Sequence, residues 1–592
     1  MKTNQIFAII ALLTTYIGHA QYVIKDGSDL LNLKKVPQEK AYVDHNGSLS
    51  FSGEYLYYAI HCFNAQTNKP TNVSTIGYVA LVNEAKEFIF EHKIKLDKGH
   101  GYGDFFITTD IPSGRYKLLG YTQWMKNSGL SQVFKDDIII INPYLADQST
   151  LLNSTTPETS PNPVDNVSVS DSSIIIMKTQ KASFLPREKV HLSIKNYKGV
   201  LGHGSYTVKV KRKEEIGMPS TLNSVMYGNA YFNADKEIKQ SIGDSVFLPE
   251  QRGELIYGTV KNAETGTPTE NLPVIISIPG KESLLKFSKT DQSGNFYSYI
   301  RKDRKDPMAV IQVEDQNEMY AIEKGTPSHI DLSNLTFSNF SLSKAQAEYI
   351  KNRSVLNQIE NQFFSSKPDS IIQSNPIDIF NGGIPEVIVL DDYTRFKTLE
   401  ETLVEVVKFA GFRKANTSDA YIRIGQDFKS YDEEYNDFPA IVLIDGVFIP
   451  HHEQIRSYDA RNIEKISLTR DQFRLGQKEY QGILSIETFE GDFLENYNPK
   501  NSLVVPFEQP VPKKNYFVQS YTTENNSFDR IPDYRRMLFW KPNVNITQSD
   551  YNYEFYTSDL EGTFEIILNG FTSYGKPLHV VQEIEVTTKN LN

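Results

Sequence analysis

The stretch Phe438-Pro439-Ala440-Ile441-Val442-Leu443-Ile444-Asp445-Gly446-Val447-Phe448-Ile449 decides how the middle of this chain is read. An apolar run ends on Asp445-Gly446, a pair that tolerates positive φ and so reverses a strand at little cost. Two further strand patterns follow. In Ala460-Arg461-Asn462-Ile463-Glu464-Lys465-Ile466-Ser467-Leu468, Ile466 and Leu468 fall to one side, and Lys465, Ser467 and Thr469 to the other. Gly482-Ile483-Leu484-Ser485-Ile486-Glu487-Thr488 alternates in the same way. Upstream, Thr398 and Glu401 make a capping box before the apolar face Leu399, Leu403, Val406, Val407 and Ala410, and Gly411 suits its C-terminal stop. The spacing predicts a compact mixed α/β sheet between Ile384 and Gly491.

This order of pieces resembles the plug domain of Bacteroidetes TonB-dependent outer-membrane receptors. That family has an Ile-Asp-Gly hairpin, an Asn-Ile-Glu-x-Ile strand, a Tyr-Gly turn and a Gly-led closing strand. Here Leu443-Ile444-Asp445-Gly446-Val447, Asn462-Ile463-Glu464-Lys465-Ile466, Gly476 and Gly482-Ile483-Leu484 stand in that order, with Leu475 in place of the aromatic. The resemblance implies a plug-like α/β domain over residues 367–495. A receptor threads its plug into a barrel of about 22 strands, each of roughly 9–11 residues. About 100 residues follow Gly491. The expectation is therefore a plug joined to other modules, and no transporter in this chain by itself.

Met1 to Ala20 is expected to be a secretory signal: Lys2 is the charged start, Ile6 to Leu13 the apolar centre, and Gly18-His19-Ala20 the small-residue cleavage site. Its apolar run is too short to span a bilayer, and no other stretch approaches 18 apolar residues. The single cysteine, Cys62, excludes internal disulfides and Cys-based metal clusters, and its neighbours Tyr58, Ile60 and Phe63 predict a buried small hydrophobe. A formal net charge of −11 argues against nucleic acid and against docking on anionic lipid. The chain's 592 residues suffice for about four or five domains.

In chain order, residues 21–145 read as a first β-domain. Gly101-Tyr102-Gly103-Asp104-Phe105, Pro112-Ser113-Gly114-Arg115-Tyr116 and Tyr121-Thr122-Gln123-Trp124-Met125 resemble the alpha-2-macroglobulin-type sandwich of Bacteroidetes envelope proteins, with Trp124 a core aromatic. Residues 146–173 are a Ser/Thr/Pro-rich linker. Residues 174–250 read as a second sandwich, with strands at 190–194 and 206–210. Residues 251–340 resemble a carboxypeptidase-regulatory-like β-domain, in which Asp291 to Asn295 is expected as a β-turn, since Lys302 stands where a calcium loop needs its bidentate Glu. Residues 341–366 are a helical connector with Ala345, Tyr349, Ile350, Leu356 and Ile359 on one face. Residues 500–592 resemble a closing β-sandwich around Trp540. The fold class expected is mainly β and multidomain: tandem macroglobulin or fibronectin-like sandwiches, a carboxypeptidase-regulatory-like β-domain, a small plug-like α/β domain and a C-terminal sandwich.

Catalytic, cofactor and metal motifs are missing from the sequence, so no catalytic, cofactor-binding or metal-binding residue is assigned and no enzyme is expected. His451-His452-Glu453 is the tightest His cluster, without further ligands nearby. The acid pairs Asp391-Asp392 and Glu433-Glu434 suit any acidic surface, and the Cys-Gly-Glu-Gln thioester of macroglobulin traps is lacking. The expected function is a non-enzymatic periplasmic scaffold that binds an outer-membrane β-barrel protein or complex, in assembly or TonB-dependent uptake, without a membrane span of its own. The alternatives are a polysaccharide-binding module, which needs exposed Trp or Tyr platforms, and a noncovalent protease inhibitor, whose bait loop could only be Gln148 to Ser173.

Overall fold

The computed structural model describes residues 22–152, 174–217, 221–232, 240–280, 283–300, 308–315, 318–372, 384–414, 420–425, 438–475, 478–497, 499–521, 528 and 530–588. The expected signal at 1–20 and all but the first residues of the expected linker lie outside them. The fold is mainly β and divides into two units. One comprises Met1–Gly253, Pro327–Gln373 and Pro510–Asn592, the other Glu254–Thr326 and Ser374–Gln509.

The first unit holds two sandwiches. In the first, a three-stranded sheet of Glu39–His45, Tyr55–Asn64 and His100–Phe106 packs on a five-stranded sheet ordered Leu49–Phe51, Phe134–Ile141, Gly114–Tyr121, Ile76–Asn83, Phe88–Lys95. Alternation along each strand sends Val43, Ile60, Leu81, Leu118 and Ile138 into a shared core. Cys62 and Trp124 are buried as expected, and the indole of Trp124 donates to the Pro37 carbonyl at 2.9 Å.

The second sandwich is assembled from two remote stretches. Ile175–Thr179, Lys189–Asn196 and Asp550–Tyr556 make its three-stranded sheet, and Ser183–Phe184, Pro577–Val586, Gly562–Thr572, Gly204–Arg212 and Met537–Ile546 its five-stranded one. One core, from Val190 and Val208 to Phe555 and Leu568, closes it. This corrects the expectation of separate sandwiches at 174–250 and 500–592: each lacks the strands that the other supplies. Strand Gly204–Arg212 pairs on one side with Met537–Ile546 and on the other with Gly562–Thr572. Neither half could bury its apolar face alone.

The two sandwiches share one topology. Counted along the chain, the first, third and sixth strands form the small sheet, and the large sheet runs second, eighth, seventh, fourth, fifth in both. In both, the short second strand pairs parallel to the eighth. They differ between the fourth and fifth strands, where the first sandwich has a tight turn and the second has residues 213–536.

The expected helical connector is a 3₁₀ turn, Lys344–Gln346, capped by Ser343, followed by the helix Ala347–Gln362. It is no loose tether. Tyr349 and Ile350 pack on Leu49, Phe51 and Leu151, and Arg353 is 6% exposed. Leu151, at the start of the expected linker, is itself buried, and its carbonyl accepts from the Leu342 amide at 2.8 Å.

The second unit opens with two sheets, Asn295–Ile300, Glu254–Asn262, Tyr320–Lys324 and Leu284–Lys289, Pro273–Ile278, Met308–Val313, Ser502–Pro506, around one core. Its last strand comes from beyond the mixed sheet, so the expected boundary at 340 cuts through a domain that closes only at Pro506. The mixed sheet itself runs Glu386–Val389, Ile463–Leu475, Lys478–Thr488, Ile441–Ile444, Val447–Phe448, with Ile441–Ile444 parallel to Lys478–Thr488 and the other pairs antiparallel. The helix Leu399–Glu405 begins on the expected capping box of Thr398 and Glu401 but ends before the expected stop at Gly411, since Ala410–Arg413 is a strand paired with Tyr421–Ile424.

Candidate functional site

The motif that marks the mixed sheet turns out to hold it together. Asp445 and Gly446 adopt φ of 47° and 83°, as a two-residue hairpin of the expected type requires. The Asp445 carboxylate accepts from the Thr488 amide at 2.8 Å, the Thr488 hydroxyl at 2.6 Å and the Phe493 amide at 3.2 Å. One side chain thus ties the hairpin to the end of the closing strand. A Cβ on Gly446 would lie 2.3 Å from the Ser283 Cβ, so the position needs glycine for space as well as for φ. Gly482, at φ 79°, would meet Ile424 and the Thr469 carbonyl at 2.7 Å. Ile463, Ile466, Leu484 and Ile486 are fully buried, and Lys465 pairs with Glu487 across the strands at 3.0 Å. Gly476 lies outside the described residues.

The polar clusters singled out in the sequence serve structure. His452 is buried and its Nδ1 accepts from the Ile422 amide at 2.7 Å; burial, and then the neighbouring His451, lower its pKa from 6.5 to about 4, so it stays neutral. His451 Nε2 lies 3.2 Å from the Glu314 carbonyl. Asp391 pairs with Arg395 at 2.6 Å, and Glu433-Glu434 lies outside the described residues. The Asp291 carboxylate accepts from the Ser293 and Asn295 amides, both at 2.9 Å, with Gly294 at φ 74°: a β-turn in a hairpin. Among the described residues no group of three or more His, Cys, Asp or Glu is placed to hold a metal ion. No helix among them is long and apolar enough to cross a membrane, which leaves β-barrels aside.

The two edges of the mixed sheet are treated differently. Val447–Phe448 is fully buried, and the Phe448 amide donates to the Ser277 hydroxyl at 3.1 Å, so that edge is covered. Among the described residues, the opposite edge strand, Glu386–Val389, pairs on one side alone, with Lys465 to Leu468. Val387 is 53% exposed, and Val389 and Ile384 are exposed beside it, while Ile388 turns into the core. A short apolar edge that no described residue covers is the kind of surface that natural sheets cover, charge or use.

A charge cluster that no sequence pattern announced lies in the first unit. Arg353 donates to Glu54 at 2.9 Å through two nitrogens and to Glu214 at 2.9 Å, and Arg536 reaches Glu214 at 3.2 Å. Tyr349 donates to the same Glu214 oxygen at 2.7 Å. The two arginines hold the Glu214 carboxyl down at about 2 despite its burial.

No family model matches the chain, and no curated protein matches it. Among solved structures, it is similar to the alpha-2-macroglobulin of Salmonella reacted with methylamine, with a TM-score of 0.23, 9% identity, and coverage of 97% of this chain and 40% of that one. The native conformation of Escherichia coli alpha-2-macroglobulin gives 0.23 at 8% identity, covering 97% and 40%, and its trypsin-activated form 0.22 at 7%, covering 96% and 43%. The chain thus spans about two fifths of the length of these proteins, and a likeness of this size carries nothing about activity.

Proposed function

We propose that this chain is a non-enzymatic scaffold of the periplasm that docks on an outer-membrane β-barrel protein or complex, as an accessory subunit of assembly or TonB-dependent uptake. The observation that supports this reading is the edge at Glu386–Val389, unpaired on its outer side among the described residues, on a sheet whose other edge is covered. Backbone N–H and C=O groups along such an edge add a partner's strand, and the exposed Val387 and Val389 give that strand an apolar surface to cover. The plug resemblance of Leu443 to Gly482 suggests the kind of partner: a sheet that resembles those that sit inside barrels. His452, Asp391 and Asp291, the polar groups best suited to chemistry by sequence, are all committed to structural bonds, which favours binding over catalysis.

The test is extraction of membranes in mild detergent followed by affinity purification of this chain. A barrel protein is expected to accompany it in stoichiometric amount, and V387K/V389K is expected to abolish that capture while leaving the melting temperature unchanged. Recovery of the wild-type chain alone would overturn the proposal.

A further inference from the structure

The outer face of the first sandwich's small sheet packs on the large sheet of the second. Lys209 of the second sandwich donates to Asp44 Oδ1 at 2.6 Å and to the His45 carbonyl at 2.5 Å, and Asn569 donates to the Tyr42 hydroxyl at 2.6 Å. Phe571 meets Phe63 at 4.5 Å between centroids and Tyr42 at 5.3 Å, and Trp540 lies 5.6 Å from Tyr57. Along Tyr55–Asn64, His61 and Phe63 alternate with Ile60 and Cys62, so the first pair faces this joint while the second lies in the first sandwich's own core.

Two histidines sit in the joint. His61, 4% exposed, and His100 from the neighbouring strand lie 4.6 Å apart between ring centroids, and Nε2 of each is buried without a hydrogen-bond partner among the described residues. Tyr42, Phe63 and Phe571 surround the His61 ring. Around His100 stand Tyr102, Asp97 of the preceding turn, Lys513, and the Pro542 carbonyl of the second sandwich. Of the carboxylates on this face, Asp44 is held by Lys209 and Asp104 by Lys514. Lys211 adds a further cation, faced by Glu565 and Glu214.

We infer that this face is an acid-sensitive joint: protonation of His61 and His100 parts the two sandwiches while each keeps its own strands paired. An imidazolium at His61 has only aromatic rings and the second histidine beside it, and two imidazoliums would face each other across 4.6 Å. Parting the sandwiches hydrates both rings without opening either core. Burial lowers the His61 pKa from 6.5 to about 3. Burial, then His61 and Lys513, bring His100 well below its ordinary value and outweigh the pull of Asp97. The closed joint therefore binds fewer protons than the open one. Its stability is complete above pH 6.5, and each unit below that favours opening about tenfold per histidine, down to the pKa of the closed state. The inference rests on the first unit alone and does not depend on the edge at Glu386–Val389.

The full chain carrying Trp124→Phe tests it, since Trp540 then remains as the single indole, 5% exposed inside the joint. Acrylamide quenching of Trp540 is expected to rise severalfold as pH falls from 7.5 to 5.0 and to return on neutralisation, with the far-ultraviolet circular dichroism unchanged. Adding His61→Phe and His100→Gln is expected to remove most of that rise. Small-angle scattering of the unsubstituted chain reads the same opening without any substitution, as a reversible growth in the radius of gyration. Quenching or size indifferent to pH down to 5.0, loss of the β signal in step with either, or an undiminished acid response in the histidine variant would each overturn the inference.

Discussion

The two sandwiches of the first unit solve one problem in two ways. In the first, the hairpin between the fourth and fifth strands is closed locally: the Asn83 side chain donates to Glu87 at 2.9 Å, accepts from the Glu87 amide at 2.9 Å, and Lys86 takes φ 66°. In the second, the same hairpin is opened by residues 213–536, and its ends are held by charge. Glu214 leaves the fourth strand, Arg536 precedes the fifth, and Arg353 from the inserted helix joins them while reaching Glu54 of the first sandwich. A surface turn carries few contacts and so tolerates insertion. What the turn did by local geometry, the insertion does by returning one of its own helices to the gap.

That contrast can be broken in several places. Arg353→Met should cost the most, about 3 kcal/mol, because it strands two carboxylates around one lost cation. Hydrogen exchange should then show lost protection in Gly204–Arg212 and Met537–Ile546 with Ile76–Asn83 unchanged; an even loss over both sandwiches would refute the idea of a local clamp. Glu214→Gln should cost roughly 2 kcal/mol in urea unfolding, since a neutral amide leaves Arg536 without its carboxylate. Asn83→Ala should cost only about 1 kcal/mol, the turn having merely one side chain's bonds to lose. A matched pair sharpens the comparison further. Tyr116 and Tyr206 each donate to the carbonyl four residues back, Pro112 at 2.7 Å and Gly202 at 3.0 Å, so Phe at either position should lower stability by the same amount, about 1 kcal/mol.

The smallest effect at neutral pH serves as a control in the other unit. His452 titrates near 4 when folded and near 6.5 when unfolded, so the unfolded chain binds the extra proton between those values. Its contribution is complete above pH 6.5 and lost as pH falls towards 4. His452→Gln should therefore flatten the fall of the melting temperature over that window, with both sandwiches unaffected; an unchanged pH profile would show that this histidine is not held neutral.

Local chemistry was legible in the sequence where it is decided by neighbours. Asp445-Gly446, the capping box at Thr398 and the turn at Asp291 are set by residues within a few positions, and the structure has all three. Pairing between distant strands was not legible. Period-two alternation in Gly204–Arg212 announces a strand with one apolar face, but nothing in it names Met537–Ile546 as the partner, so one sandwich was read as two. Arg353 stands among polar residues on a helix and gives no sign that it is buried. Trp540 is buried, and it lies 5.6 Å from Tyr57, a neighbour that only the folded chain supplies.

The interrupted sandwich also sets a schedule for synthesis. Its first four strands emerge long before Met537–Val586, and until those arrive the strand Gly204–Arg212 has both flanks bare. A ribosome that stops early therefore releases a product whose sticky edges invite holdases and proteases. Maturity of this molecule is declared by its last strands, and quality control has a single late event to inspect.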